Sequence, residues 1–337
     1  NYSPKYNMIV YLPFTIGLKT GHLLNLSYST SIMLAKLLNF ICYVGIVFFA
    51  IKIATKLKKI IFLISLFVTN IFISAQFSYD PTIIACLILA TSLFYRMLED
   101  EKINKKYLLA FVLSVIWASL PKAIYAPMLL LLVFIPNKKF DNKKQAIKFK
   151  TVIIVATLLL MATFVLPTLT GSMGSDPRGG DTSVGEQLKL ILENPLRYVK
   201  TLTKYFLGNS EGLIIGQVMS LVYINDYIEM ITPAIAIINF ILLLYILFTE
   251  KVSRKVISNK IKVICALGVI GISVLIVTSM YLSFTPIGST EIMGVQTRYF
   301  TPILLLGLLV LIPTTTQKIT KQENDNILIL LVPFISL

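Results

Sequence analysis

Lysine and arginine crowd into gaps spaced two apolar runs apart, which turns a string of hydrophobic segments into an oriented set of membrane crossings. The basic gaps are IKIATKLKKI at 51–60, YRMLEDEKINKK at 95–106, NKKFDNKKQAIKFK at 137–150, EKVSRKVISNKIK at 250–262 and QKITKQENDN at 317–326. Short basic loops mark the cytoplasmic side of a membrane. The intervening gaps, around 76–80, 119–122, 171–231 and 284–298, carry far less excess positive charge. They are expected to face outward.

Composition points to the same class. With 56% hydrophobic residues, 14% charged residues and a mean hydropathy of +0.81, a chain of 337 residues is poorly suited to a soluble fold. The net charge of +15 is divided among short connectors and builds no aromatic-interleaved basic face, so nucleic acid is excluded as a partner. Cys42, Cys86 and Cys265 lie inside apolar runs and read as small core residues, not as a disulfide framework or thiolate cluster. The single His22 rules out a multi-histidine metal site within the chain. Asn1 opens in a polar stretch without a signal peptide, and NILILLVPFISL stops short of the ~20 residues a span needs, so both ends are expected to extend further.

Apolar runs set against the charge alternation predict helical spans near 30–50, 60–75, 82–96, 107–120, 123–136, 151–169, 232–249, 263–283 and 298–313, with a partial one from Asn326. The fold class is all-α, a polytopic bundle of about ten spans. The run KYLLAFVLSVIWASLPKAIYAPMLLLLVFIP (106–136) sets the parity. A single helix through it would reach ~43 Å, beyond a hydrocarbon core of ~30 Å, and would put the basic 137–150 loop outside. Two crossings broken at Pro121 restore the alternation, because proline removes a helix hydrogen bond and restricts the residue before it. Each arm of ~21 Å then requires a recessed tip, with Lys122 at its bottom. A lysine there is either a functional intramembrane cation or a snorkelling helix end.

The segment 171–231 is the one substantial polar region. GSMGSDPRGGD is expected to be flexible from its Gly and Pro content. After it, GEQLKLILENPLRYVKTLTKYF places Leu188, Leu192, Leu196 and Val199 at helical spacing with a break at Asn194-Pro195. Two short amphipathic helices are expected, lying on the outer leaflet or packed on the rim of the bundle. The chain thus divides into an external or re-entrant segment at 1–29, a first part of the bundle at 30–169, the external subdomain at 170–231 and a second part at 232–337.

Isolated polar residues at the outer ends of spans are the candidates for chemistry. Asp80 opens a span in FSYDPTIIA, where it either caps the helix or acts as a catalytic acid. Arg298 and Tyr299 open another in GVQTRYFTPILLL, where the arginine either holds a phosphate in bidentate fashion or pairs with Glu291. Lys36 sits inside the first span, where snorkelling is the simpler reading. Lys36, Asp80, Lys122 and Arg298 converge on the outer half, and one acid among several cations suits a lipid phosphate. The acid can serve as base or as ligand to a divalent cation, and the cations stabilise a departing phosphate.

These residues also carry a resemblance. NYSPKYNMIVYLPFTIGLKTG, MLAKLLNF, FSYDPTIIA, SLPKAIYAPMLLLLVFIP, EQLKLILENPLRYV and GVQTRYFTPILLL, in that order, resemble the bacterial membrane-protein family catalogued as domain of unknown function 2142. That family is similar in layout to the GT-C integral-membrane glycosyltransferases. The resemblance implies a cell-membrane protein that transfers sugar from a polyprenyl-phosphate donor to a cell-envelope glycan or lipid. It implies a primary catalytic acid after a first span upstream of Asn1, with Asp80 matching a second loop acid, Lys122 the turn lysine and Arg298 the late arginine. Two rival readings are a transporter or flippase of lipid-linked saccharides and a non-catalytic scaffold of envelope assembly.

Overall fold

A computed structural model describes residues 8–170, 176–210 and 226–316, and the expected partial span from Asn326 lies outside them. Among the described residues the regular structure is all helical apart from a two-residue parallel bridge. Helices α1 (Leu12–Leu23), α2 (Tyr28–Ile53), α3 (Lys58–Ser65), α4 (Val68–Ser74), α5 (Asp80–Glu99) and α6 (Lys105–Ser119) come first. A 3-10 segment, Ala123–Phe134, leads into α7 (Lys143–Leu169), α8 (Val184–Glu193), α9 (Pro195–Gly208), α10 (Asp226–Thr249), α11 (Asn259–Ser283) and α12 (Thr301–Leu311). Strands β1 (Val252–Ser253) and β2 (Thr314–Thr315) tie the chain after α10 to the chain after α12.

Among the described residues four helices, α2, α5, α7 and α11, are long and apolar enough to cross a membrane. Of the other expected spans within the described residues, 107–120, 123–136 and 298–313 are shorter helices, and 232–249 lies in α10. Of the four, α5 is 89% buried in its apolar window while the others are 17–28% buried, so α5 is the central post and the others show their outer faces to lipid. Hydrophobic transfer does not drive association between helices within lipid, so close packing and satisfied polar groups must. In α5 small residues such as Ala85 and Ala90 are fully buried, and the Thr91 and Ser92 hydroxyls donate to the carbonyls of Leu87 and Ile88.

The expected span 60–75 is corrected: it is two short helices, α3 and α4, interrupted at Leu66 and Phe67. Non-helical backbone at membrane depth requires protein partners. Here Asn70 Nδ2 donates to the Ile64 carbonyl at 2.8 Å, the Tyr43 hydroxyl to Ser65 at 2.9 Å, and Asn39 Nδ2 to Ser74 and Ser78 at 3.1 and 3.2 Å.

The break near Pro121 stands where expected. Helix α6 ends at Ser119, Leu120 keeps helical angles despite the following proline, and the chain turns at Lys122 (φ −144°, ψ 85°). The second arm, which contains Pro127, winds as a 3-10 helix of 12 residues. At about 2.0 Å per residue it covers roughly 24 Å, against ~18 Å as an α-helix. A tighter coil thus lengthens the arm that the residue count left short.

Within the expected 1–29 segment, α1 folds back on α2. A Cβ on Gly17 would lie 2.4 Å from Ala35 Cα, and one on Gly21 2.4 Å from Ser31 Oγ, so the two glycines let the backbones touch.

Candidate functional site

The sequence FSYDP makes Asp80 the first residue of α5, yet its carboxylate caps nothing. Its backbone N–H goes to Ser78 Oγ at 3.1 Å, and the helix start has no side-chain cap. The carboxylate instead takes Lys122 Nζ on Oδ1 at 2.8 Å and Arg298 Nε on Oδ2 at 3.1 Å. Side-chain exposures of 12, 18 and 25% for Asp80, Lys122 and Arg298 place the cluster in a partly covered mouth, not in bulk water.

Three elements build this mouth: the start of α5, the turn after α6 and the 3-10 turn Thr297–Tyr299 before α12. The buried Tyr125 fastens the last two, its hydroxyl donating to the Tyr299 carbonyl at 2.7 Å. Lys122 Nζ sits 4.0 Å from the centre of the Tyr299 ring and 5.4 Å from that of Tyr79, and the Arg298 guanidinium lies 5.7 Å from Tyr299. Aromatic faces hold cations without neutralising them. Two buried polar atoms in the same stretch, Gln296 Oε1 and Thr301 Oγ1, have no hydrogen-bond partner among the described residues.

The structure therefore gathers Asp80, Lys122, Arg298 and Tyr299. Lys36 reaches the neighbouring loop instead, donating to Gln76 Oε1 at 3.3 Å. The Arg298–Glu291 alternative is not taken, since Glu291 pairs with Lys204 at 3.4 Å. In the N-terminal segment Tyr11 stacks on Phe77 and meets Tyr79 edge-on, and Phe14 packs at a tilt on Phe77, so the two rings brace the loop that delivers Asp80.

The paired helices α8 and α9 dock on α11 and the chain after it, and α8 also meets α7. Gly288 donates to Gln187 Oε1 at 2.9 Å, Arg197 donates to the Gly288 carbonyl at 2.6 Å, and Tyr198 meets Thr278 at 2.6 Å. Leu192, Leu196 and Val199 remain exposed while Leu188 is half-buried. The packed face thus mixes Gln187, Tyr198 and Tyr205 with Val184 and Leu202, and most of the apolar row named from the sequence points away from the bundle.

Sequence reasoning missed Tyr125 and the Asp176–Arg178 pair. Arg178 donates Nη2 to Asp176 Oδ2 at 2.5 Å, and this bonding holds the Asp176 carboxyl below its ordinary range. The signal was present in SDPR, where Asp two residues before Arg in a proline turn brings the groups together. Among the described residues no three His, Cys, Asp or Glu side chains group as metal ligands. The family described as Predicted membrane protein (DUF2142) matches residues 1–307. No curated protein and no solved structure matches the chain.

Proposed function

The chain belongs to the DUF2142 family of predicted membrane proteins, and from that premise we propose that it is an integral-membrane glycosyltransferase. It takes a sugar from a polyprenyl-phosphate-linked donor and passes it to a cell-envelope glycan or lipid on the outer face of the bacterial plasma membrane, with its basic loops cytoplasmic. The observation that carries this reading is the Asp80 carboxylate held between Lys122 and Arg298 at one end of the central helix.

Charge supports it. The two cations and one carboxylate leave the cluster with a single excess positive charge, which a phosphodiester donor balances. When the diester takes over Lys122 and Arg298, Asp80 loses its neutralising partners and becomes a better base. It removes the proton of the acceptor hydroxyl, the acceptor oxygen bonds to the sugar carbon, and the carbon–oxygen bond to phosphate breaks with its electron pair on phosphate. The departing phosphate gains one negative charge as Asp80 loses one, so the poorly solvated site stays balanced throughout. Gln296 Oε1 is a ready acceptor for a sugar hydroxyl.

A transporter of lipid-linked saccharides is the second reading, favoured by the interruption between α3 and α4, since broken helices line transport sites. Against it, Asn70 and Tyr43 already occupy carbonyls freed by that break. The test uses the full-length protein in lipid and a panel of polyprenyl-phosphate-linked hexoses. Release of polyprenyl phosphate is expected from the native chain and should fall ~100- to 10,000-fold in Asp80→Asn, which still binds donor. Movement of intact donor across the bilayer without release would favour the transporter.

A further inference from the structure

The end of the bundle opposite Asp80 holds a cavity of about 710 Å³. It forms where α5 ends, where the 3-10 segment gives way to Pro136 and where α11 begins. The floor is apolar, with Leu98, Ile135 and Ile261 buried and Val133 and Val256 half-buried. The rim is cationic, carrying Lys138, Lys139, Lys150, Lys255 and Lys260.

The lining acids do not neutralise that rim. Arg96 Nε pairs with Asp100 at 2.9 Å, and Glu99 faces Arg96 Nη1 at 3.9 Å while accepting the Thr55 hydroxyl. Glu101 is the remaining acid, exposed at the edge. Lys139 is structural: it is buried and donates to the carbonyls of Leu98 and Asp100. Among the described residues Lys150 bonds a neutral oxygen, Asn137 Oδ1, at 2.6 Å and no carboxylate. Lys138, Lys255 and Lys260 are exposed and pair with no carboxylate among the described residues.

Topology asks for lysines in these loops, but not for lysines from separate loops to face one cavity. Lys143 and Lys144 serve one of the same loops without lining it. The amino end of α11, capped by Ser258 and lacking an acid in its first turn, adds its positive dipole end to the same wall. Crowded ammonium groups repel one another, and a shared anion removes that cost.

We propose that this cavity binds a phosphate-bearing anion, which fits an acidic phospholipid headgroup above the apolar floor or a soluble phosphate ester at the rim. Basic pockets between membrane helices suit such groups. The site is independent of the Asp80 cluster, so either assignment can fail alone.

The test measures binding to the purified full chain in detergent of short-chain phosphatidylglycerol, short-chain phosphatidylcholine and inorganic pyrophosphate. Phosphatidylglycerol is expected to bind more tightly than phosphatidylcholine. Lys255→Gln/Lys260→Gln should weaken it roughly thirtyfold, at ~1 kcal/mol for each lysine, while the charge-matched Lys143→Gln/Lys144→Gln changes it less than about twofold. Lys138→Gln/Lys150→Gln serves as the second variant if the first does not fold. Tight pyrophosphate binding with the same loss and no lipid preference keeps the site and assigns it the soluble source. Equal losses in both double variants, or no binding of either anionic probe, would overturn the site.

Discussion

Lys122 Nζ lies 2.8 Å from Asp80 Oδ1, joining two residues 42 positions apart across the mouth of the bundle. Were Asp80 a helix cap, Asn would replace it at little cost. As an ion-pair partner it cannot be replaced so, because Asn leaves two partly buried cations unneutralised. Asp80→Asn should lower stability by about 1–3 kcal/mol, and a cycle with Lys122→Met should show coupling of ~0.5–3 kcal/mol in denaturant titrations. Additive losses would remove the pair from the energetics of the fold.

Contact between α1 and α2 gives a second prediction. A Cβ at Gly17 would meet the Ala35 backbone, which cannot move aside as a flexible side chain would, whereas one at Gly45 would meet nothing. Gly17→Val should therefore lower the unfolding temperature, at a cost of about 1–3 kcal/mol, and Gly45→Val should cost less. Equal melting of the two variants would show that α1 does not depend on this approach.

Glu250, just past the end of α10, sets a pH dependence. It is buried, and desolvation raises its carboxyl pKa, partly offset by Lys59 and Lys56. A raised folded pKa means that the folded state binds this proton more tightly than the unfolded chain. Its contribution is therefore most favourable below the unfolded value and is lost as pH rises through the folded one. Glu250→Gln should raise the melting temperature near pH 8 and change it little near pH 4. A uniform shift at both would contradict the assignment.

Orientation is checked by thiol labelling in intact cells, in a chain with Cys42, Cys86 and Cys265 replaced. Gly179 is a poor probe position, because a Cβ there would fall 1.9 Å from the Phe284 carbonyl oxygen. Arg178, whose side chain is 80% exposed, is the better one. Arg178→Cys should react with a membrane-impermeant reagent, and Lys144→Cys should resist it. Reaction at both would undo the alternation built on the basic loops.

The convergence of Asp80, Lys122 and Arg298 was legible because charge alternation places the ends of spans, and the ends of spans hold the polar residues. The hairpin at Pro121 was legible for the same reason. The break between α3 and α4 was not, since Leu66-Phe67 carries no glycine or proline. Side chains distant in sequence, Asn39 and Tyr43, help satisfy the backbone around it. Nor did any local pattern announce the 3-10 winding of 123–134, which answers to the distance the arm must cover. Gly17 and Gly21 spell a small-xxx-small contact that reads as one only once α2 lies beside them. Lys36 shares an end of the bundle with Asp80, but end-of-span logic does not say which neighbour a side chain meets, and it meets Gln76.

The central claim, that Lys122 and Arg298 hold a lipid phosphate, is tested most directly by native mass spectrometry of the full-length protein. Polyprenyl phosphate is offered against the uncharged polyprenol of equal length. The phosphate should form a stoichiometric adduct that the alcohol does not. Lys122→Met should abolish it and Arg298→Lys weaken it, because a point charge cannot reproduce the guanidinium fork. Asp80→Asn should retain it, since the carboxylate competes with the phosphate for the same cations. Equal adducts with alcohol and phosphate, or an undiminished adduct in Lys122→Met, would contradict the account.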